Sequence, residues 1–297
     1  MTLAAARRHV GVLGALLHAA LAVPEEKRPP DPEAAVLVGA GDIAYCKQIA
    51  GAQATARLLD AIPGTVFTLG DHAYENGTAR EFADCYHPTW GRHRARTRPA
   101  VGNHDYHSPQ AAPYFAYFGA AAGEPAKGYY SYDLGGWHLV VLNSNCEEVG
   151  CEAGSPQERW LRADLAAHKT ECALAYWHHP RFSSGKHGGA PEMAPLWRAL
   201  YEAGVELAIS GHDHDYERFA PQDGAGKLDA ARGVRQFVVG TGGKKTRRFN
   251  KAEPNSEMRD TGTFGVLKLT LSPGRYGWTF IPVAGQGFTD SGAGVCH

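Results

Sequence analysis

The chain has 297 residues, enough for one large domain with a sizeable core or for two small ones. Its formal net charge of −1 gives no basic excess that would hold nucleic acid through phosphates, so no nucleic-acid-binding surface is expected. Histidine is abundant at 15 residues, and imidazole is both the commonest metal ligand and the group that titrates nearest neutral pH.

The first residues of the chain have the pattern of an export signal. Arg7 and Arg8 supply a positive segment, an apolar run extends from Val10 to Leu21, and Ala20-Leu21-Ala22 fits the small-x-small cleavage pattern. The run is too short to span a membrane, and no later segment is long enough to do so. The sequence therefore predicts a secreted protein without a membrane span. The alternative is an amphipathic N-terminal helix, because His18 interrupts the apolar run.

Short apolar runs alternate with longer segments of helical period along the rest of the chain. The runs predict strands buried on both faces, at Ala34–Val38, Val66–Leu69, Leu139–Leu142, Ala173–Trp177, Val205–Ile209 and Gln236–Val239. The helical segments are Gln48–Ala61, Gln157–His168 and Pro191–Glu202. Ser155 as N-cap, Pro156 and a capping box closed by Glu158 mark the start of the second helix. This alternation predicts an α/β fold of layered sheet and helices in one domain.

Near the C-terminus the pattern changes to that of an antiparallel hairpin. Phe264–Leu271 and Tyr276–Val283 are the predicted strands, and Ser272-Pro273-Gly274 is the predicted turn.

The cysteines agree with export, because an even number in an exported chain favours disulfides. They are Cys46, Cys85, Cys146, Cys151, Cys172 and Cys296. Cys146 and Cys151 are close enough in sequence for a local disulfide, whereas the other pairings stay open. A disulfide of Cys296 with an interior cysteine would fix the C-terminal end.

Side chains that bind metals follow most of the predicted strands. The clusters are Gly41-Asp42, Gly70-Asp71, Gly102-Asn103-His104, His178-His179-Pro180 and Gly211-His212-Asp213-His214. Ligand sites of α/β sheets form at the carboxyl ends of strands, so we expect these clusters to converge on one edge.

A single Gly-Asp is usually only a turn, and a single histidine is usually a core residue, so each cluster alone has an ordinary structural explanation. Together they offer carboxylates, imidazoles and an amide, which suit Zn, Mn and Fe. Their number exceeds the needs of one ion. A two-metal centre with a bridging carboxylate, of the kind that acts on phosphate esters, is therefore predicted.

Taken in order, the clusters resemble the five-block signature of the calcineurin-like metallophosphoesterases. The matching blocks are Gly41-Asp42, Gly70-Asp71-His72-Ala73-Tyr74, Gly102-Asn103-His104-Asp105, His178 and Gly211-His212-Asp213-His214. The resemblance covers about Val36 to Val283, and Tyr74 makes the second block similar to that of the purple acid phosphatase branch. The first block departs from both patterns, since Ala44 stands where many family members have a histidine ligand, and the block lacks the Asp-x-Gly usual in purple acid phosphatases.

The resemblance implies a metallophosphoesterase-type fold, in which two packed mixed β-sheets are flanked by helices in a single domain. With the export signal, the expected organisation is a signal peptide over residues 1–22, a linker over residues 23–35 and a catalytic domain over residues 36–297.

The resemblance also implies the metal ligands. Its first metal, iron in that branch, would be held by Asp42, Asp71, Tyr74 and His214. Its second metal, Zn, Mn or Fe, would be held by Asp71, Asn103, His178 and His212, with Asp71 as the bridge. The family pattern His-x-Pro selects His178 as the ligand and leaves His179 to face the substrate, although the reverse assignment stays open.

In the same resemblance, His104 would contact the substrate phosphate together with Asn103 and His179, and would protonate the leaving oxygen. Asp105 would orient the His104 ring. The expected activity is hydrolysis of small phosphate monoesters by attack of metal-bound hydroxide, with no obligate protein partner. The alternatives are a phosphodiesterase with the same centre and a non-catalytic binder of metal or phosphate.

Overall fold

The structure is a computed structural model that describes residues 1–2, 34–170 and 172–297. The predicted signal peptide beyond residue 2 and the predicted linker before residue 34 lie outside the described residues. The chain divides into two units, Met1–Pro30 and Asp31–His297, and every element below belongs to the second. Within the described residues, no helix combines the length and the apolar character needed to cross a membrane.

The described part of the chain contains strands throughout its length and helices mainly between them. The strands are β1 Ala35–Ala40, β2 Ala44–Tyr45, β3 Thr65–Leu69, β4 Ala73–Tyr74, β5 Thr97–Ala100, β6 Tyr130–Leu134, β7 Trp137–Val141, β8 Cys172–Tyr176, β9 Leu207–Ser210, β10 Tyr216–Phe219, β11 Arg235–Val239, β12 Ser256–Asp260, β13 Gly265–Ser272, β14 Arg275–Pro282 and β15 Ser291–Val295. The α-helices are α1 Ala50–Ala61, α2 Ala79–Glu81, α3 Ala112–Phe118, α4 Cys146–Val149, α5 Pro156–Ala167 and α6 Ala194–Glu202. A π-helical turn spans Phe82–Tyr86, and 3₁₀ turns span Cys46–Gln48, Trp90–Arg96, Asp105–His107, Pro109–Ala111, Gly119–Ala122 and Pro191–Met193.

Two large mixed sheets organise these elements. The first has the strand order β15-β14-β13-β1-β3-β5, and the second has the order β12-β10-β11-β9-β8-β7-β6. Each combines parallel neighbours, such as β1 with β3 and β8 with β9, with antiparallel ones. A short parallel pair, β2 with β4, lies outside both.

The main hydrophobic core lies between the two sheets. Phe67 of β3 contacts Tyr176 of β8 with 5.8 Å between ring centroids, and Phe237 of β11 lies 5.8 Å from Trp278 of β14. A second core, which includes Trp177, forms where α5 and α6 cover the outer face of the second sheet. The predicted layered α/β fold with two packed mixed sheets and flanking helices is therefore confirmed.

The predicted secondary structure is largely confirmed, since all six apolar runs, the three helical segments and the hairpin are present. At the start of α5, Ser155 Oγ accepts from the Glu158 N–H at 3.2 Å, as a capping residue should. The predicted reciprocal half of the capping box is wrong. The Glu158 carboxylate accepts from the N–H of Gly154 at 3.1 Å and pairs with Arg162.

All six cysteines form disulfides, namely Cys46–Cys85, Cys146–Cys151 and Cys172–Cys296. The predicted local pair is confirmed. Cys172 begins β8 in the second sheet, whereas Cys296 follows β15 in the first, so their disulfide joins the two sheets covalently.

Candidate metal centre

The polar clusters meet where the carboxyl ends of strands from both sheets face each other. Three clusters follow β1, β3 and β5 of the first sheet, and two follow β8 and β9 of the second. The His212 N–H donates to Asp42 Oδ2 at 2.8 Å, and His178 Nε2 lies 2.9 Å from Asn103 Oδ1, so the clusters touch across the sheets. The predicted convergence is confirmed, but it involves the edges of two sheets instead of one.

Several residues at this junction adopt backbone conformations that are rare for residues other than glycine. Asp42, Asp71 and His212 have φ values of 61°, 52° and 69°, in the left-handed region. Gly102 allows the close approach of two loops, since a Cβ there would lie 2.3 Å from Asp71 Oδ1. Strained backbone of this kind is concentrated at functional sites, where the surrounding structure holds it in place.

One set of side chains converges on Tyr74. Its hydroxyl donates to Asp42 Oδ1 at 2.6 Å, and it lies 2.9 Å from Asp71 Oδ2 and 3.3 Å from His214 Nε2. All four side chains are buried. Two carboxylates, a phenol and an imidazole form a donor set that suits iron, so these residues fit the first metal implied by the sequence.

A second set converges on His178. Its Nε2 lies 3.4 Å from Asp71 Oδ1, 2.9 Å from Asn103 Oδ1 and 3.2 Å from His212 Nδ1. Asp71 thus presents Oδ1 to this set and Oδ2 to Tyr74. The mix of imidazoles, amide and carboxylate fits Zn, Mn or Fe, and the shared carboxylate fits a bridge between two ions.

Backbone carbonyls fix the orientation of three histidines. His178 Nδ1–H donates to the carbonyl oxygen of Leu69 at 2.6 Å. His214 Nδ1–H donates to that of Lys245 at 2.9 Å, and His104 Nδ1–H donates to that of Glu75 at 2.5 Å. Because a carbonyl oxygen only accepts hydrogen bonds, each contact places the proton on Nδ1 and fixes the ring. Nε2 of each ring then faces the centre, which is the usual arrangement of a metal-binding or catalytic histidine.

The electrostatics keep the Asp71 carboxylate ionised. Burial raises the pKa of Asp71, but the combined charges and hydrogen bond of the surrounding histidines, His178 foremost, hold this pKa well below its ordinary value. Burial lowers the pKa of His178, but the charge and hydrogen bond of Asp71, together with the charge of Asp42, raise it to about 9. Burial and the neighbouring carboxylates of Asp42 and Asp71 raise the pKa of Tyr74 well above its ordinary value. The phenol therefore keeps its proton unless a highly charged cation displaces it.

His179 lies beside the second set, with its ring centroid 4.8 Å from that of His178 and 4.4 Å from that of His212. Its Nδ1 is 2.9 Å from Ser144 Oγ, and its N–H donates to the same oxygen at 2.8 Å. Burial and the charge of neighbouring His178 lower the pKa of His179 to about 3, so its ring is neutral. Ligand atoms of His178, His179 and His212 lie within 4.8 Å of one another, so the assignment of His178 to the metals and His179 to the substrate stays a prediction.

A cavity of about 590 Å³ opens beside Asn103 and His179. Its wall also includes Glu147 and Glu148 of α4, a helix whose first residue, Cys146, is bonded to Cys151. The cavity is large enough for the organic part of a small ester.

The prediction that Asp105 orients the His104 ring is wrong. Asp105 Oδ2 lies 2.9 Å from His72 Nδ1 and accepts from the Gly102 N–H at 2.9 Å. The 3₁₀ turn that begins at Asp105 directs its carboxylate into the core, whereas His104 faces the centre with Nε2 3.8 Å from Asp71 Oδ2. Glu75 supplies the contact that was expected from Asp105.

Several residues of the centre were not predicted from the sequence. The Lys244 N–H donates to the Asp42 carbonyl at 2.8 Å. Its ammonium lies 4.2 Å from the Tyr74 ring centroid and 2.5 Å from Glu75 Oε1. The His187 ring lies 4.6 Å from that of His212. The glycine-rich run before Lys244 was the available signal, because it lets this segment pack closely against the first cluster.

Comparisons with known proteins agree with this geometry. The family model described as calcineurin-like phosphoesterase matches residues 17–216. Purple acid phosphatase 21 of Arabidopsis thaliana is 32% identical over 249 residues, covering 73% of this chain and 54% of that protein. Purple acid phosphatase 18 of the same plant is 27% identical over 194 residues, covering 62% of this chain and 42% of that protein. The chain thus spans about half the length of these relatives.

Among solved structures, a purple acid phosphatase from yellow lupin (Lupinus luteus) seeds superposes with a TM-score of 0.71. The match covers 89% of this chain and 55% of that chain, at 20% sequence identity. It shows that the two proteins share a fold.

Proposed function

Because this chain belongs to the calcineurin-like phosphoesterases and is similar to their purple acid phosphatase branch, we propose that it hydrolyses phosphate monoesters with two metal ions bridged by Asp71. The observation that carries this proposal is the placement of Asp71, whose two carboxylate oxygens face two different sets of ligands. Its lowered pKa keeps it available as a shared ligand at neutral and mildly acidic pH.

In this proposal, the residues that would hold iron are Asp42, Asp71, Tyr74 and His214. Those that would hold Zn, Mn or a second Fe are Asp71, Asn103, His178 and His212. Bound there, the ions would activate water and neutralise negative charge on the phosphate. The substrate phosphate is bound in this proposal by Asn103, His104 and His179, on the side of the centre where the cavity opens. The lining of the cavity supports this, because Asn103 and His179 both contribute to its wall.

His104 is the proton donor to the leaving oxygen in this scheme. Its ring is held by the Glu75 carbonyl at Nδ1, and its backbone N–H donates to Asp71 Oδ1 at 2.8 Å. Nε2 is therefore fixed toward the centre, where a proton can pass to the alcohol as the ester bond breaks. The departing alcohol would then occupy the cavity beside His179.

The proposal is tested by metal analysis of the purified protein together with paired assays on an aryl phosphate and a bis-aryl phosphate. We expect two metal ions per chain at the catalytic centre and faster turnover of the monoester. Faster turnover of the diester would favour a phosphodiesterase with the same centre. Full metal content with no turnover of either ester would favour a non-catalytic binder.

We also propose that the protein is exported after removal of residues 1–22, which leaves the linker 23–35 and the catalytic domain 36–297. Three disulfides support this, because they form and persist in oxidising compartments. N-terminal sequencing of protein recovered outside the cytoplasm should begin at Val23, and an intact Met1 would contradict the proposal.

A further inference from the structure

A second cluster of histidine and aspartate lies away from the catalytic centre, near the amino end of β7. It consists of His138 on β7, Asp133 opposite it on β6, and Asp164 and His168 at the end of α5; we call it the β7 cluster. His138 is the second residue of β7, whereas Ser144, which contacts His179 of the catalytic centre, follows the opposite end of that strand. The β7 cluster is therefore separate from the proposed catalytic ligands.

The imidazole of His138 lies between two carboxylates. Its Nδ1 is 2.8 Å from Asp133 Oδ1, and its Nε2 is 2.8 Å from Asp164 Oδ2. The His138 side chain is only 1% exposed, whereas that of Asp133 is 67% exposed, so the cluster extends from the interior to the surface. Burial lowers the pKa of His138, but hydrogen bonds to Asp164 and Asp133 prevail and raise it.

His168 adds a second imidazole to this arrangement. Its ring is stacked on that of His138 with 4.3 Å between centroids and 9° between planes, and its Nδ1 lies 3.5 Å from Asp164 Oδ1. His138, Asp164 and His168 each offer one ligand atom, and these atoms lie within 4.8 Å of one another. The His168 side chain is 44% exposed, so an ion can reach the cluster from solvent.

We propose that the β7 cluster is a binding site for a divalent cation of the zinc type, held by His138, Asp164 and His168. Two imidazoles and a carboxylate are a common protein ligand set for Zn²⁺, with water in the fourth position. The site is distinct from the two metals of the catalytic centre and does not depend on the proposed activity.

The surroundings of the β7 cluster orient two of its ligands, His138 and Asp164, as metal sites require. The exposed His168 ring, which is stacked on His138, would turn to direct a ring nitrogen at the same ion. His138 Nδ1–H donates to Asp133, which directs Nε2 toward Asp164. Ser131 Oγ donates to Asp164 Oδ1 at 2.8 Å and fixes that carboxylate. Such outer hydrogen bonds set the tautomer and direction of metal ligands. A cation would take the place of the proton that otherwise lies between His138 Nε2 and Asp164 Oδ2.

The number of Zn²⁺ ions bound per chain tests this proposal. Protein with a filled catalytic centre is equilibrated with Zn²⁺ and freed of unbound ion, and its metals are measured by mass spectrometry. We expect the wild type to bind one Zn²⁺ more than His168→Ala, while the two proteins have equal phosphatase activity. His87→Ala removes an exposed histidine elsewhere and should retain the full count. Equal zinc counts in wild type and His168→Ala would overturn the proposal.

A second variant guards against an indirect effect of removing an imidazole. Asp133→Asn keeps the shape of the side chain opposite His138 but removes its charge, so it should weaken Zn²⁺ binding about 10–100-fold. The change should appear in calorimetric titration with Zn²⁺ and not in activity. A Zn²⁺ affinity that is the same in wild type and Asp133→Asn would mean that the titrated ion binds outside the β7 cluster, and the proposal would be wrong.

Discussion

Asp105 forms a buried pair with His72 and not with His104, its neighbour in the sequence. His72 Nδ1 lies 2.9 Å from Asp105 Oδ2, and both side chains are fully buried. The other ring nitrogen of His72 lies 2.7 Å from Thr68 Oγ1 on β3. Because Asp105 also accepts from the Gly102 N–H, this pair connects the two loops that carry Asp71 and Asn103.

Replacing Asp105 should therefore affect stability more than proton transfer. Asp105→Ala leaves the His72 ring and the Gly102 N–H without their buried partner, at a cost of about 3 kcal/mol or more. Urea unfolding measures this loss, with exposed Asp84→Ala as the control that should change little. A stable Asp105→Ala protein that slows only on esters with poor leaving groups would mean that Asp105 acts through His104 after all.

Asp71 should be the least replaceable ligand. Asp71→Asn keeps the size of the side chain but removes the charge that two cations would share. We expect the loss of at least one metal and a fall in turnover on the order of 10²-fold or more. Metal analysis and turnover of an aryl phosphate measure both effects. Two retained metals with near-normal turnover would exclude a bridging role.

The role of His104 can be separated from that of its neighbour His107. His104→Ala should retain both metals but slow esters with poor leaving groups about 10²–10⁴-fold, and activated aryl esters much less. His107 is the matched control, since its ring lies 4.5 Å from that of His104 and also contacts the Glu75 carbonyl. His107→Ala should preserve the dependence on leaving group. Equal losses of both ester types in His104→Ala would indicate binding instead of proton donation.

Tyr74 would give the proposed iron centre a visible signature. A ferric ion that displaces the phenol proton should produce a purple to pink charge-transfer colour, which Tyr74→Phe should abolish without unfolding the protein. Tyr45 is the control, because it pairs with Tyr74 across β2 and β4 and its ring also contacts the Lys244 ammonium. Visible spectra of iron-loaded Tyr45→Phe should match the wild type. A colourless wild type with iron bound would place the chain outside the tyrosinate branch.

Stability should depend on pH through Glu206, which is only 4% exposed. Burial raises its pKa to about 7, partly opposed by the hydrogen bond from the His297 N–H at 2.5 Å. The folded state thus binds a proton more tightly than the unfolded chain. The free energy of unfolding should therefore fall as the pH rises from about 4.5 to 7. Above pH 7 it should stay about 1 kcal/mol lower than below pH 4.5, after allowance for solvent screening.

Glu206→Gln should remove this dependence on pH. The melting temperature of the variant, relative to that of the wild type, should therefore be higher at pH 8 than at pH 5. Exposed Glu124→Gln serves as the control and should follow the wild type at both pH values. A Glu206→Gln protein that loses stability equally at both pH values would show that Glu206 acts through its contacts and not through its charge.

The predictions from the sequence succeeded where burial gives a simple pattern. Strands such as β3 and β8, buried along their length, appear as apolar runs, and the residues that follow them converge because strand ends meet. The sequence did not predict β5, although this strand leads to Asn103. It contains Arg98 and Pro99 and lies at the edge of the first sheet, where proline is tolerated.

The contacts that the sequence could not predict depend on tertiary packing. Whether Asp105 turns toward His104 or into the core is decided by the 3₁₀ turn and by buried His72. Lys244 reaches Tyr74 from a segment 170 residues away, as a cation over its ring. In the β7 cluster, the cross-strand pair of His138 and Asp133 contacts Asp164 near the end of α5. No short sequence motif predicts that contact, because its residues come from separate elements.

The disulfide between Cys172 and Cys296 closes a covalent ring that contains three proposed ligands, His178, His212 and His214. Exposed Leu228 marks a loop inside that ring where a protease could cut the chain. After one such cut, both fragments remain parts of one molecule, each still attached through its half of the disulfide. A nicked protein would therefore migrate as a single band without reducing agent and separate into two pieces only after reduction.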